Sequence, residues 1–446
     1  ITVVNPASSC TPAVWDFYFG NTGIVDVFKP EGKEWFWAIY KRLINQGMGG
    51  IWGDLGEPEV FPSKVMTAAG KADEVHNIYG HRWAQLIAEG YRNDFPNQRP
   101  FILMRAGYSG SQRFGMIPWS GDVNRSWGGL QSQMEIALQM GMQGLGYMHS
   151  DLGGFAGDYF DNELYLRWLQ YGVFNPIFRP HAQDDVASEV SRKDIVTKAK
   201  AKKSVELRYQ LLPYNYTLAY ENSTTGLPLM RPLFFEEPQN ESLQTVADTY
   251  LWGKDFLIKP IVNPGVTQTE VYFPKTANWF DFYTHKKFTG GKKTMVKVTE
   301  AYIPTFVRAN TLLPMTAVVQ NTTLYQNSEL NFIAYVDGNG VSERTFYFDD
   351  GTTPNANTAA QNHELLRANW MADDKKIVLT FSQNETTSVP NVSEKKGTIT
   401  LYNVALKPKK ITQNGLAIPF QWEAKTKKLT FLYQHNQSKT SLTIVR

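Results

Sequence analysis

The chain holds one cysteine, Cys10, so no disulfide can close within it and cysteine usage leaves the redox compartment open. No apolar run approaches the length of a membrane span. Charge of neither sign dominates. The 45 basic and 42 acidic residues leave a formal +3, which gives no footing for nucleic acid or an anionic lipid surface. A solvated helix face accounts for the lysines clustered at Lys198 to Lys203. The seven histidines are scattered, without a His-Glu-x-x-His pair or the carboxylate spacing of a metal site, so neither a metal nor any other cofactor is expected. No glycine-rich phosphate loop follows a strand. Gly107-Tyr108-Ser109-Gly110-Ser111 misses a nucleophile elbow at its last position, and no helix is expected to begin there. Gly290-Gly291-Lys292-Lys293-Thr294 has Lys286 where a phosphate loop has its first glycine, and reads as a hairpin turn.

What is present suits a large enzyme. At 446 residues, with 42% hydrophobic content, the chain is expected to form two or three domains. Over residues 1–250, buried apolar strands alternate with helical patterns, which indicates a parallel sheet covered by helices. Pro30 to Gln46 predicts a helix, with Trp35, Ile39 and Leu43 on one face and Gly47 as its stop. Strands are expected at Gly49 to Asp54, Pro100 to Arg105, Ile117 to Asp122, Gly144 to His149 and Pro228 to Phe235. Helices are expected at Val75 to Tyr91, Gly128 to Met140, Glu163 to Tyr171 and Ile195 to Asn222. Polar residues gather at strand C-terminal ends: Asp54, Arg105, Asp122 and Asp151. That placement predicts a (β/α)8 barrel, whose site forms in the loops after its strands. Roughly six or seven strand candidates are legible rather than eight, so the barrel is expected to be incomplete at its N-terminus.

Past residue 250 the pattern turns to period-two alternation between Gly and Asn turns. A proximal β domain over 251–320 and a distal one over 321–446 are expected, both antiparallel β-sandwiches. The polar stretch from Asn384 to Lys396 reads as a loop.

Two of the strand ends deliver Trp with Asp: Trp52-Gly53-Asp54 and Trp119-Ser120-Gly121-Asp122. Two carboxyls beside flat aromatic walls are the chemistry of glycosidic bond cleavage, one acting at the anomeric carbon and the other protonating the leaving oxygen. Each aspartate could instead cap the helix that follows. Glu57 adds a further carboxylate near Asp54, and geometry alone does not choose between them. Arg105 reads equally as a structural ion-pair partner, His181 as a core histidine, and Trp119 and Phe155 as core aromatics.

The ordered motifs resemble glycoside hydrolase family 31, the retaining α-glucosidases and α-xylosidases. Trp52-Gly53-Asp54-Leu55-Gly56-Glu57 is similar to the family's nucleophile motif, and Arg105 through Arg113 to Trp119-Ser120-Gly121-Asp122 to its acid/base block. Ser150-Asp151-Leu152-Gly153-Gly154-Phe155, then Arg167-Trp168-Leu169-Gln170 with Phe174, Arg179 and His181, then Met230-Arg231-Pro232-Leu233 continue the family order. The resemblance implies Asp54 as nucleophile and Asp122 as general acid/base, with the two carboxyls about 5–5.5 Å apart. It implies Trp52, Arg105, Trp119, Asp151, Phe155 and His181 around the sugar. The implied substrate is an α-glucan or α-gluco-oligosaccharide, cleaved or transferred. An α-xylosidase, a dextran-cleaving enzyme and a carbohydrate-binding pseudoenzyme are the rivals, and a periplasmic or secreted bacterial setting is favoured. Family members carry an N-terminal β-sandwich and first barrel strands that are not legible here. The chain therefore reads as the C-terminal part of such an enzyme, with the N-terminal portion as its expected partner.

Overall fold

The computed structural model describes residues 1–446 apart from 6–7, 18–19, 184–185, 359–362, 384–393 and 437. Most of the loop expected at 384–396 thus lies outside the described residues. The chain divides into two compact units. One comprises Ile1–Gly121, Gln139–Ser150 and Thr352–Pro354; the other comprises Asp122–Leu138, Asp151–Gly351 and Asn355–Arg446.

In the first unit, α1 (Pro30–Asn45) starts on a proline, carries Glu31 in its first turn and Arg42 in its last, and so suits its own dipole. Its buried face is not the expected one. Phe36, Tyr40 and Ile44 pack into the core, whereas Trp35 and Leu43 are exposed. The two apolar stripes are offset by one residue, a rotation of about 100°, and packing selects the second. After β1 (Ile51–Gly53) come a short helix at Ala72–Val75, a 3₁₀ turn at His76–Ile78 and α2 (Tyr79–Asp94). Next are β2 (Ile102–Met104) and β3 (Met116–Pro118). A 3₁₀ turn, Ser111–Phe114, does begin where no helix was expected.

β1, β2 and β3 run parallel, with Ile51, Ile102 and Met116 in one register row and Gly53, Met104 and Pro118 in another. Successive side chains of a strand point to opposite faces. Ile51, Ile102, Met104 and Met116 accordingly join Tyr40, Ile44, Ala84 and Ile87 in one cluster against α1 and α2. Burying each large aliphatic there stabilises the unit by about 1.5–3 kcal/mol. Gly53 leaves room for this packing, because a Cβ there would stand 2.2 Å from the Met104 sulfur and force that side chain to shift. The strand expected at Gly144 to His149 reduces to a single parallel bridge between Trp119 and His149. Gly144, at φ +90°, turns the chain just before it.

α3 (Trp127–Met142) has residues in both units. In the second unit, α4 (Asn162–Val173) is capped by Asp161, which accepts from the Glu163 and Leu164 amides at 2.8 and 3.3 Å. The helix expected over Ile195 to Asn222 is two, α5 (Ile195–Gln210) and α6 (Leu212–Thr225). Pro213 lacks the amide a continuous helix would need, so it opens the second. The Lys198 to Lys203 cluster lies on α5, where Lys198, Lys202 and Lys203 are exposed.

Met230–Pro232 pairs antiparallel with Tyr250–Trp252, not with a parallel sheet as expected. The same sheet continues through Phe256–Ile258, Thr305–Arg308, Trp279–Asp281 and Lys287–Phe288. Its core holds Leu251, Leu257, Phe273, Trp279 and Phe306. Gly290 and Gly291 form a turn, but the strands it joins, Lys287–Phe288 and Lys292–Lys297, pair in different sheets, so it is not a hairpin. Beyond Leu313 two sheets face each other across Phe332, Leu401 and Phe431 from one and Phe346, Trp370, Leu379 and Leu442 from the other. That is a β-sandwich. In it Asn331–Tyr335 pairs parallel with Lys395–Tyr402, and Lys439–Val445 lies between Lys376–Gln383 and Lys410–Gln413. Arg344, on Gly340–Asp349, joins the two β blocks by pairing its Nε with Asp255 at 2.8 and 3.0 Å.

Candidate active site

Extending the register by one residue beyond Gly53, Met104 and Pro118 aligns Asp54, Arg105 and Trp119 along the carboxyl edge of the parallel strands. The Arg105 amide donates to the Gly53 carbonyl at 3.1 Å, which carries the ladder to that edge. By alternation these three share a face with Trp52, Leu103 and Ile117, opposite the helix-packed one. Trp52 is 45% exposed and meets the buried Trp119 edge to face, with ring centroids 5.6 Å apart. Trp119 thus backs Trp52 rather than presenting its own ring.

Arg105 organises the acids. Its Nε and Nη2 reach separate Glu57 oxygens, each at 3.0 Å, and Nε stands 3.4 Å from Asp54. Nη2 also lies 3.5 Å from Glu59. Glu57 therefore spends both oxygens on the guanidinium, whereas Asp54 stands 3.4 Å from it and stays half-exposed. The Asp54 carboxylate also accepts from the Leu55 amide at 2.8 Å. Leu55 holds φ +58°, a left-handed conformation costing about 1–2 kcal/mol for a residue with a Cβ. The turn brings Glu57 back to Arg105. Carboxylates outnumber the cation here, a field that favours positive charge developing beside them.

The other expected residues lie in the second unit. Asp122 is exposed, and the Val123 carbonyl next to it accepts from the Phe155 and Ala156 amides at 2.8 and 3.1 Å. Asp151 is 1% exposed and takes the Arg179 guanidinium on Oδ1. Leu152 and Pro180 form a parallel bridge, which sets His181 beside Phe155 with the two rings stacked at 5.3 Å. Asp151 is thus placed to hold Arg179, a residue that sequence reasoning kept outside the site. Its signal is the Arg-Pro-His triplet ending at His181. Among the described residues no three His, Cys, Asp or Glu side chains gather as around a metal ion, and no helix is long and apolar enough to cross a membrane.

The family model for the glycosyl hydrolases family 31 TIM-barrel domain matches residues 3–218, and that for the family's C-terminal domain matches residues 226–313. The chain is 33% identical over 350 residues to alpha-glucosidase 2 of Bacillus thermoamyloliquefaciens, covering 75% of this chain and 43% of that protein. It is 31% identical over 377 residues to an alpha-xylosidase of Saccharolobus solfataricus, covering 82% and 51%. Among solved structures it resembles a Flavobacterium johnsoniae dextranase complexed with glucose, with TM-score 0.92 and 26% identity. That likeness takes in 100% of this chain and 59% of the dextranase. The chain thus spans between about two fifths and three fifths of these proteins' length.

Proposed function

The chain belongs to glycoside hydrolase family 31, and from that premise we propose that it acts on α-glucosides by double displacement with retention at the anomeric carbon. Asp54 is the nucleophile and Asp122 the general acid/base. The observation that carries the reading is the edge row of Asp54, Arg105 and Trp119, with Glu57 committed to Arg105 and Asp54 left accessible.

In the first step a carboxylate oxygen of Asp54 bonds to the anomeric carbon as the glycosidic C–O bond breaks, and Asp122 gives its proton to the departing oxygen. In the second, water or another sugar's hydroxyl attacks that carbon, Asp122 takes the proton, and the ester to Asp54 breaks. A sugar acceptor makes the reaction a transglucosylation. Trp52 offers an open ring to a pyranose face, backed by Trp119. Phe155 and His181 form a second contact, steadied by Asp151 through Arg179.

Turnover of aryl α-glucoside and aryl α-xyloside, with the product anomer followed by NMR, tests this. Retained glucose is the expected product. Inverted product, or no turnover of either compound, overturns the reading; release of xylose alone makes the enzyme an α-xylosidase. A second reading, cleavage of α-1,6-linked glucan, is favoured by the dextranase likeness over the whole chain. Comparing isomaltotriose with maltotriose separates the two.

A further inference from the structure

We propose that Arg125 is a positioning residue, whose guanidinium fixes the Phe155 loop to the segment bearing Asp122 and so sets where the Phe155–His181 pair stands. The proposal rests on the reading of Asp122 as acid/base and of Phe155 and His181 as sugar contacts.

Arg125 lies three residues after Asp122 and is 5% exposed. Its Nη2 donates to the Phe155 carbonyl at 3.0 Å, and its Nη1 donates to the Gly157 carbonyl. Its own amide donates to the Ala156 carbonyl at 2.9 Å, and Asn124 pairs with Ala156 in a parallel bridge. With the Phe155 and Ala156 amides on Val123, residues 123–125 grip 155–157 from both backbone and side chain. The Phe155 carbonyl also accepts from the Gln183 amide at 3.1 Å, two residues past His181. One oxygen thus ties together the Asp122 segment, the Phe155 loop and the His181 segment.

The neighbouring sequence is fitted to this contact. Gly154 holds φ +83°, and a Cβ there would lie 2.5 Å from the Arg125 Cα and 2.9 Å from its Cβ. Only glycine lets the loop come so near. Two carbonyls two residues apart call for a planar fork of donors, which arginine has and lysine, a point charge, does not. Burying a guanidinium costs several kcal/mol, and oriented carbonyl dipoles offset that where the geometry is good. The fork thereby holds the aromatic contact in place, and a misplacement of about 1 Å is enough to slow a reaction markedly.

A double-mutant cycle tests this in the intact protein, with Arg125→Met, Phe155→Ala and both together, measuring kcat and KM on an aryl α-glucoside and the thermal midpoint of each. Arg125→Met is expected to lower kcat/KM by on the order of tenfold, mainly through KM. In the Phe155→Ala background the same change should cost less than about twofold, because the group it positions is gone. Arg125→Lys should recover only part of the loss, and it replaces Arg125→Met in the cycle if the methionine variant does not fold. Equal losses in both backgrounds, or an unchanged KM, overturn the proposal while leaving the activity intact. Absence of α-glycoside turnover in the unsubstituted protein instead sinks the functional reading, and the proposal with it.

Discussion

Arg105 and Glu57 form a two-point pair, with Nε and Nη2 each 3.0 Å from a different carboxylate oxygen. The pairing occupies Glu57 and leaves Asp54, at 47% side-chain exposure against 36% for Glu57, the more open of the two. It also turns a question open in the sequence, which acid attacks, into one that substitution can answer.

Glu57→Gln should lower kcat by about ten- to a hundredfold with the product anomer still retained, because a charge-assisted fork becomes a weaker neutral contact. Progress curves with NMR detection of the anomer check this. Complete loss rescued by azide would make Glu57 the nucleophile.

If Asp54 is the nucleophile proposed above, Asp54→Ala removes the atom that bonds the anomeric carbon. Its kcat should fall on the order of 10³-fold or more, equivalent to at least about 4 kcal/mol of transition-state stabilisation. Azide with an activated aryl glucoside should restore part of the rate and yield an inverted glucosyl azide. Unassisted turnover with retention in this variant would reject the assignment.

Asp122→Asn cannot donate a proton. Losses of about 10²–10⁴-fold are expected for alkyl or sugar leaving groups, and much smaller ones for glucosyl fluoride, whose departure needs little help. If both substrates slow equally, Asp122 is structural.

The Arg344–Asp255 pair makes a prediction about stability. Burial raises the Asp255 pKa, and the Arg344 charge and hydrogen bonds outweigh it, so the carboxyl sits below its usual range. A depressed folded pKa gives stability that is present above the unfolded value, about 3.9, and is lost as pH falls through the folded one. Arg344→Ala should cost about 3–5 kcal/mol near neutrality, because it strips a buried carboxylate of its hydrogen-bonded cation and leaves only the more distant charges of Arg308 and Lys254. The cost should shrink below pH about 4, where that carboxylate can take a proton. Denaturant melts at the two pH values measure it, and a cost independent of pH would contradict the assignment.

Legibility in the sequence followed the kind of information each feature needs. Trp52-Gly53-Asp54 could be read because a short apolar run ending on an acid is a local signal, and β1 stands where that signal put it. The row shared by Asp54, Arg105 and Trp119 could not, since alternation gives the face of a strand and not its register with a neighbour. On α1, Trp35 with Leu43 and Phe36 with Tyr40 and Ile44 make two equally apolar stripes, and only tertiary packing decides between them. Met230–Pro232 looked like another buried parallel strand because strands covered on both faces lack alternation whichever way their partners run. Arg125 carried no signal at all: a basic residue in a polar turn gives no hint of the carbonyls it will meet.

The distal sandwich has a consequence for how the chain is made. Asn331–Tyr335 takes its parallel partner from Lys395–Tyr402, and Lys376–Gln383 and Lys410–Gln413 are joined by Lys439–Val445 inserted between them. A ribosome that has emitted everything up to Ala417 has produced two parts of that sheet with open edges and no strand to bridge them. Such long-range pairing must wait on loop closure and is slow to form. Until Lys439–Val445 emerges, the apolar faces of Leu379 and Ile411 have no neighbour from that strand to cover them. Edges that wait in this way are open to chaperone binding or to pairing between nascent chains.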